Sequence, residues 1–169
     1  MRNSALRCGT YAFGVAVALV LLAILLLPKL TPYRLVFVWG ESVNVSLALA
    51  VIPLESELVQ GEYVTLTWSG VDPNNVPHLK PGATLVKRIG CAPGQVLQVT
   101  VTEVRCNGVL IGKVRKTSLA GLSLAPALFD GTIPKQFYFM VGDHPASYDS
   151  RFLGLIPLEW VSARLAVKV

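Results

Sequence analysis

The chain has 169 residues, a net charge of +5, 53% hydrophobic residues and only 15% charged ones. That length holds one domain plus a short appendage, and the apolar excess points towards a membrane. The basic residues are dispersed, at Arg2, Arg7, Lys87-Arg88 and from Arg105 to Lys116, without interleaved stacking aromatics, which argues against nucleic acid as a partner.

The N-terminus has the pattern of a membrane anchor. No charge lies between Arg7 and Lys29, and Cys8 to Pro28 is 21 residues rich in Ala, Val and Leu. At about 1.5 Å per residue this length matches the hydrocarbon core of a bilayer. Arg2 and Arg7 precede it, as a cytoplasmic N-terminus requires, although Lys29 and Arg34 follow it. A cleavable signal peptide is the competing reading, but the apolar core from Tyr11 to Leu27 is long and Leu-Leu-Leu-Pro-Lys offers no small-x-small cleavage site. The expected organisation is a cytoplasmic stub and single transmembrane signal anchor over residues 1–30, then a β-rich domain over residues 31–169 outside the cytoplasmic membrane.

Beyond the anchor the chain is strand-like and punctuated by Gly and Pro. Tyr33 to Trp39 is a first strand or a continuation of the helix into the interface. After the uncharged Leu47–Ile52, Gly61 to Trp68 alternates as a strand should, and Ser69 to Gly82 is a loop with three prolines. Thr84–Gly90 is a strand, and Val96–Cys106 alternates as a single strand ending at the hairpin signal Asn107-Gly108. Val109–Val114 returns, residues 117–136 are irregular, and strands follow at Phe137–Val141 and around Trp160–Val169. No amphipathic helix is evident.

Three cysteines are present. Outside the cytoplasm a Cys91–Cys106 disulfide is permitted, and its loop would contribute roughly 3 kcal/mol; two buried free thiols are the alternative. His78 and His144 have no clustered partners at ligand spacing, so neither a metal nor another cofactor is expected. The same two histidines give no plausible Ser-His-Asp set. Lys87, flanked by Val86 and followed by Ile89, is the unusual side chain. It either snorkels to water at a strand edge, or is buried with its pKa lowered and can act as a general base to a serine.

Two segments carry a specific resemblance. Lys87-Arg88-Ile89-Gly90-Cys91-Ala92-Pro93-Gly94-Gln95 resembles the Lys-Arg-(apolar)-x-x-x-Pro-Gly-Asp box of the type I signal peptidases, with Gln95 in place of Asp. Gly142-Asp143, Ser147, Asp149-Ser150-Arg151 and Gly154 match that family's Gly-Asp-x-x-x-Ser-x-Asp-Ser-Arg-x-x-Gly box. Between them, Asn107-Gly108 resembles the family's Val-Asn-Gly hairpin. His144-Pro145-Ala146-Ser147-Tyr148 is similar to the conjugative-transfer branch, the TraF-type pilin peptidases. The resemblance implies a mainly β, signal-peptidase-like or LexA-like catalytic domain behind one transmembrane helix, in the bacterial inner membrane with the catalytic domain periplasmic.

It further implies a Ser–Lys dyad with Lys87 as base. Ser147 would orient the lysine amine, Asp149 and Arg151 would pair to hold the Ser147 loop, and Arg88 would anchor structure rather than catalyse. For the nucleophile, Ser46-Leu47-Ala48-Leu49-Ala50-Val51-Ile52 follows the outline of the branch's Ser-(Leu/Met)-Pro-x-Gly-(apolar)-Tyr element, with alanine for Pro and Gly. Ser46 is the expected nucleophile and Ser42 the alternative. A register shift of two would place Ala48 there and leave an inactive homologue serving as an assembly factor in a conjugation or type IV secretion apparatus. The implied partners are the lipid bilayer and a membrane-bound precursor, conjugative pilin above all. Cleavage would follow a small side chain, and water or the pilin's own amine would resolve the acyl-enzyme.

Overall fold

The computed structural model describes residues 14–23, 26, 33–38, 42–45, 47–51, 57–77 and 79–168. The chain divides into two units, Met1–Arg34 and Leu35–Val169. Residues 14–23 are helical, and the rest of the expected 1–30 anchor, apart from residue 26, lies outside the described residues. Among the described residues no helix is long and apolar enough to cross a membrane.

The mainly β architecture expected from the alternating segments is present. Among the described residues eleven strands follow in order: β1 (Tyr33–Phe37), β2 (Leu47–Val51), β3 (Tyr63–Thr67), β4 (Thr84–Cys91), β5 (Val96–Val99), β6 (Glu103–Cys106), β7 (Val109–Lys113), β8 (Phe129–Thr132), β9 (Phe137–Val141), β10 (Ile156–Pro157) and β11 (Val161–Lys168). They form a seven-stranded sheet in the order β1-β2-β11-β3-β4-β9-β10 and a four-stranded sheet in the order β7-β6-β5-β8.

Strand β9 explains how the sheets share a core. Tyr138 and Met140 join one apolar cluster with Val64, Leu66 and Ile89, while Phe139 and Val141 join another with Leu97, Val104 and Ile133. A strand buried on both faces needs an unbroken apolar run, which is what Phe-Tyr-Phe-Met-Val supplies. Each such side chain removed from water contributes about 1.5–3 kcal/mol, so this strand is fixed firmly. Cys91 at the end of β4 and Cys106 at the end of β6 form a disulfide, tying the two sheets together.

Two sequence expectations are corrected. Val96–Cys106 is not one strand but the hairpin β5–β6, with Leu97 opposite Cys106 and Val99 opposite Val104. Its turn is made by Thr100, whose hydroxyl accepts from the Thr102 and Glu103 amides at 3.3 and 3.1 Å. A threonine hydroxyl does here what Gly or Asn usually does, so composition concealed the turn. Residues 117–136 contain β8, which pairs with β5 from Val96↔Thr132 to Val99↔Phe129. The polar stretch 142–154 contains one helical turn, Ser150–Leu153, whose N-cap is Asp149. At Asn107-Gly108 both residues have positive φ, 49° and 79°, the geometry of a tight two-residue hairpin turn.

Candidate active site

Strand register places the lysine. On β4, Lys87 lies opposite Val64 of β3 and shares a face with Leu85 and Ile89, so its side chain enters the core. Only 5% of Lys87 is exposed. Leu66, Leu85, Met140, Leu153 and Ile156 surround the small cavity against which it packs. Burial among these apolar groups lowers its pKa from 10.5 to about 8, against the opposing pull of the Asp149 carboxylate. The lysine does not snorkel; it is a buried amine that loses its proton far more readily than an exposed one.

Among the described residues its polar partners are two serines. Lys87 Nζ donates to Ser147 Oγ at 2.8 Å and also hydrogen-bonds Ser42 Oγ. The two hydroxyls are themselves 2.7 Å apart, closing a three-membered cluster of Ser42, Lys87 and Ser147. Ser46, the expected nucleophile, lies outside the described residues; among the described hydroxyls, those of Ser42 and Ser147 lie on the lysine. A neutral amine against a serine hydroxyl can accept its proton and leave an alkoxide-like nucleophile.

The loop from Gly142 to Asp149 holds this cluster from both ends. At its far end, Asp149 accepts from the Gly142 amide at 2.7 Å and from Arg151 Nε and Nη2 at 2.8 and 2.7 Å. Arg151 in turn donates to the Ser147 carbonyl at 3.1 Å and the Lys113 carbonyl at 2.9 Å. Both partners of this ion pair are buried, and every oxygen and nitrogen involved has a directed partner, the condition under which a buried pair is tolerated. Ser147 thus receives its position from backbone held by Arg151. Ser150 adds a further tie, accepting from the Met140 amide at 2.9 Å.

At the near end the organising residue is Asp143. It accepts from Arg88 Nε at 2.8 Å, from the Tyr63 hydroxyl at 2.5 Å and from the Asn44 amide at 3.0 Å. Register accounts for the convergence, because Tyr63 pairs with Arg88 across β3–β4 and Arg88 with Val141 across β4–β9, two residues before Asp143. Burial and the Asp143 carboxylate raise the Tyr63 hydroxyl to about 12, so it remains a donor. Through the Asn44 amide, Asp143 pins the turn that carries Ser42, and the His144 amide donates to the Ser42 carbonyl at 3.3 Å. Arg88 therefore acts on the serine turn through Asp143. Sequence reasoning gave no role to Asp143, Tyr63 or Asn44; the signal was Asp143's place beside Gly142, but its partners depend on a three-strand register.

Gly142 has no room for a side chain. A Cβ there would lie 2.1 Å from Ser147 Oγ and 2.5 Å from the Ser42 carbonyl oxygen. Gln95, where the resemblance led one to expect Asp, still closes its turn by accepting from the Ala92 amide at 2.7 Å, and donates to Gln60 at 3.0 Å. The Ser42–Lys87–Ser147 cluster opens onto a cleft of about 540 Å³ lined by Val36, Val38, Leu85, Val86, Leu119 and Tyr148.

A family match agrees with the two boxes. A signal peptidase I from Enterococcus faecalis V583, solved at 2.27 Å resolution, is similar at 21% identity over 66% of this chain and 98% of its own, with a TM-score of 0.41. No curated protein matches the chain. The family described as signal peptidase, peptidase S26, matches residues 11–169, nearly the whole sequence. The chain therefore belongs to the signal peptidase family, peptidase S26, a family of serine proteases.

Proposed function

We propose that the protein is a membrane-anchored serine endopeptidase in which Ser42 is the nucleophile and Lys87 the general base. The observation that carries this reading is the buried Lys87 amine bonded to both Ser42 and Ser147. With Lys87 neutral, its lone pair takes the Ser42 proton as Oγ attacks the scissile carbonyl, while the amine keeps donating its own N–H to Ser147 Oγ. The developing oxyanion needs preorganised donors, and the Ser42 backbone amide is the nearest candidate. The ammonium then returns its proton to the leaving amine, giving an acyl-enzyme for water or an incoming amine to resolve.

Signal peptidases act on membrane-bound preproteins, and the substrate proposed here is of that class. The apolar run from Cys8 to Pro28 supports an N-terminal anchor that holds the domain at the outer face of the inner membrane, beside such a substrate. His144-Pro145-Ala146-Ser147-Tyr148 favours the conjugative-transfer branch, with a precursor pilin cut after a small residue. Processing of precursor in cells carrying only Lys87→Ala tests the dyad: full-length precursor should accumulate, and continued maturation would falsify the reading. The rival, an inactive homologue serving assembly, rests on the altered Ser46 element; the Ser42 hydroxyl on Lys87 weighs against it.

A further inference from the structure

The loop spanning residues 70–77 contributes no buried apolar side chain, and Val71 is fully turned to solvent. It is nevertheless heavily hydrogen-bonded. Asp72 accepts from the Asn74 amide at 3.0 Å and the Val76 amide at 2.6 Å, which folds the loop into a tight turn. The Tyr148 hydroxyl donates to Asp72 and accepts from Asn74 Nδ2 at 3.1 Å. Asn74 also grips a third segment, accepting from the Ala125 amide at 2.7 Å and donating to the Ala125 carbonyl at 3.2 Å.

Those three segments meet behind one side of the cleft. Tyr148 lines it directly, with its ring stacked on buried Phe152 at 5.3 Å. Ala125 follows the hairpin that carries Leu119 to the cleft, a hairpin closed by the Thr117↔Ser123 bridge. Ala146, also in the lining, is held by Arg115 through its carbonyl at 2.9 Å. None of these contacts reaches Ser42 or Lys87, and Ser147 is held separately by Arg151. Adjacent residues therefore have separate supports: 147 faces the reacting groups and 148 faces the cleft.

We infer that Tyr148, Asp72 and Asn74 form a clamp that fixes the Leu119–Ala146–Tyr148 wall of the cleft and thereby sets affinity for the substrate chain. It rests on the peptidase reading, with these three as positioning residues rather than catalytic ones. Burial and the Asp72 carboxylate raise the Tyr148 hydroxyl well above its usual range, so it remains a donor to Asp72. Loosening such a wall lowers the preorganisation that binding draws on while leaving the dyad in place.

The test uses the detergent-solubilised full chain and a fluorescently labelled peptide with an apolar segment followed by alanines. In a Ser42→Ala background, adding Tyr148→Phe or Asn74→Ala should weaken the peptide's Kd about tenfold, or about 1.4 kcal/mol. With Ser42 restored, KM should rise by a similar factor while kcat stays within about twofold and the acid limb of the pH profile does not move. An unchanged Kd, a fall in kcat with KM constant, or no peptide binding to Ser42→Ala would each overturn the clamp. Tyr148→Phe keeps the ring stack on Phe152, so it decides the matter if Asn74→Ala fails to fold. Should the unmutated enzyme bind the peptide but not cut it, the peptidase reading fails while the clamp is still judged by binding alone.

Discussion

The two halves of the proposed dyad are held by unlike means. Lys87 stands on a central strand between β3 and β9, is almost fully buried, and is flanked by an ion pair with 4% and 0% side-chain exposure. Ser42 stands on a short turn pinned from outside by Asp143, whose partner Arg88 is 29% exposed. The proposed base is thus part of the core, whereas the proposed nucleophile is delivered to it by a polar staple. A lowered lysine pKa requires burial, and burial requires a rigid frame; a nucleophile must meet substrate, so it cannot share that burial.

Mutations on the two sides should separate along this line. The largest effect is expected from Lys87→Met, with activity falling by at least ~10³-fold. Because a buried lysine with a lowered pKa disfavours the folded state wherever it must be charged, Lys87→Met should also be more stable than wild type below pH 8. That advantage should shrink as pH rises from about 8 towards 10.5, where the native amine is already neutral while the unfolded one still binds a proton. Wild-type activity should rise with pH through about 8 for the same reason, since the neutral amine is the active form. Denaturant melts across that range, with kcat/KM profiles, check both signs.

Gly142→Ala comes next. Its Cβ would collide with both Ser147 Oγ and the Ser42 carbonyl, so it strikes both halves at once, and a loss of about 10²-fold in kcat is expected for a displacement of ~1 Å. Asp149→Asn acts on the lysine side alone and should appear mainly as lost stability, about 3–5 kcal/mol, because Arg151 is left buried without its counter-charge. Asp143→Asn acts on the serine side, where solvent reaches the ion pair. It should cost about 1 kcal/mol of stability or less, with a moderate fall in kcat. If Asp143→Asn proved as destabilising as Asp149→Asn, the contrast between a core-built base and a stapled nucleophile would not hold.

What the sequence disclosed follows the same division. Lys87 was conspicuous because a charge between Val86 and Ile89 has few explanations, whereas Asp149 and Arg151 were reached through the resemblance of their box to the signal peptidases. Asn107-Gly108 announced its hairpin through backbone chemistry that only such residues adopt readily. The Thr100 turn was hidden, since threonine also suits strands and only its hydroxyl bonds distinguish the two states. Ser42 was only an alternative because nothing local marks it. Its contact with Lys87 spans 45 positions, and the staple that sets it depends on the β3–β4–β9 register.

The most direct test of the central claim compares Ser42→Ala with Ser46→Ala in cells whose precursor processing depends on this chain. Loss of maturation in Ser42→Ala, with wild-type maturation in Ser46→Ala and both proteins present at normal levels, is the expected result. Normal processing by Ser42→Ala would contradict the assignment of the hydroxyl on Lys87 as the nucleophile.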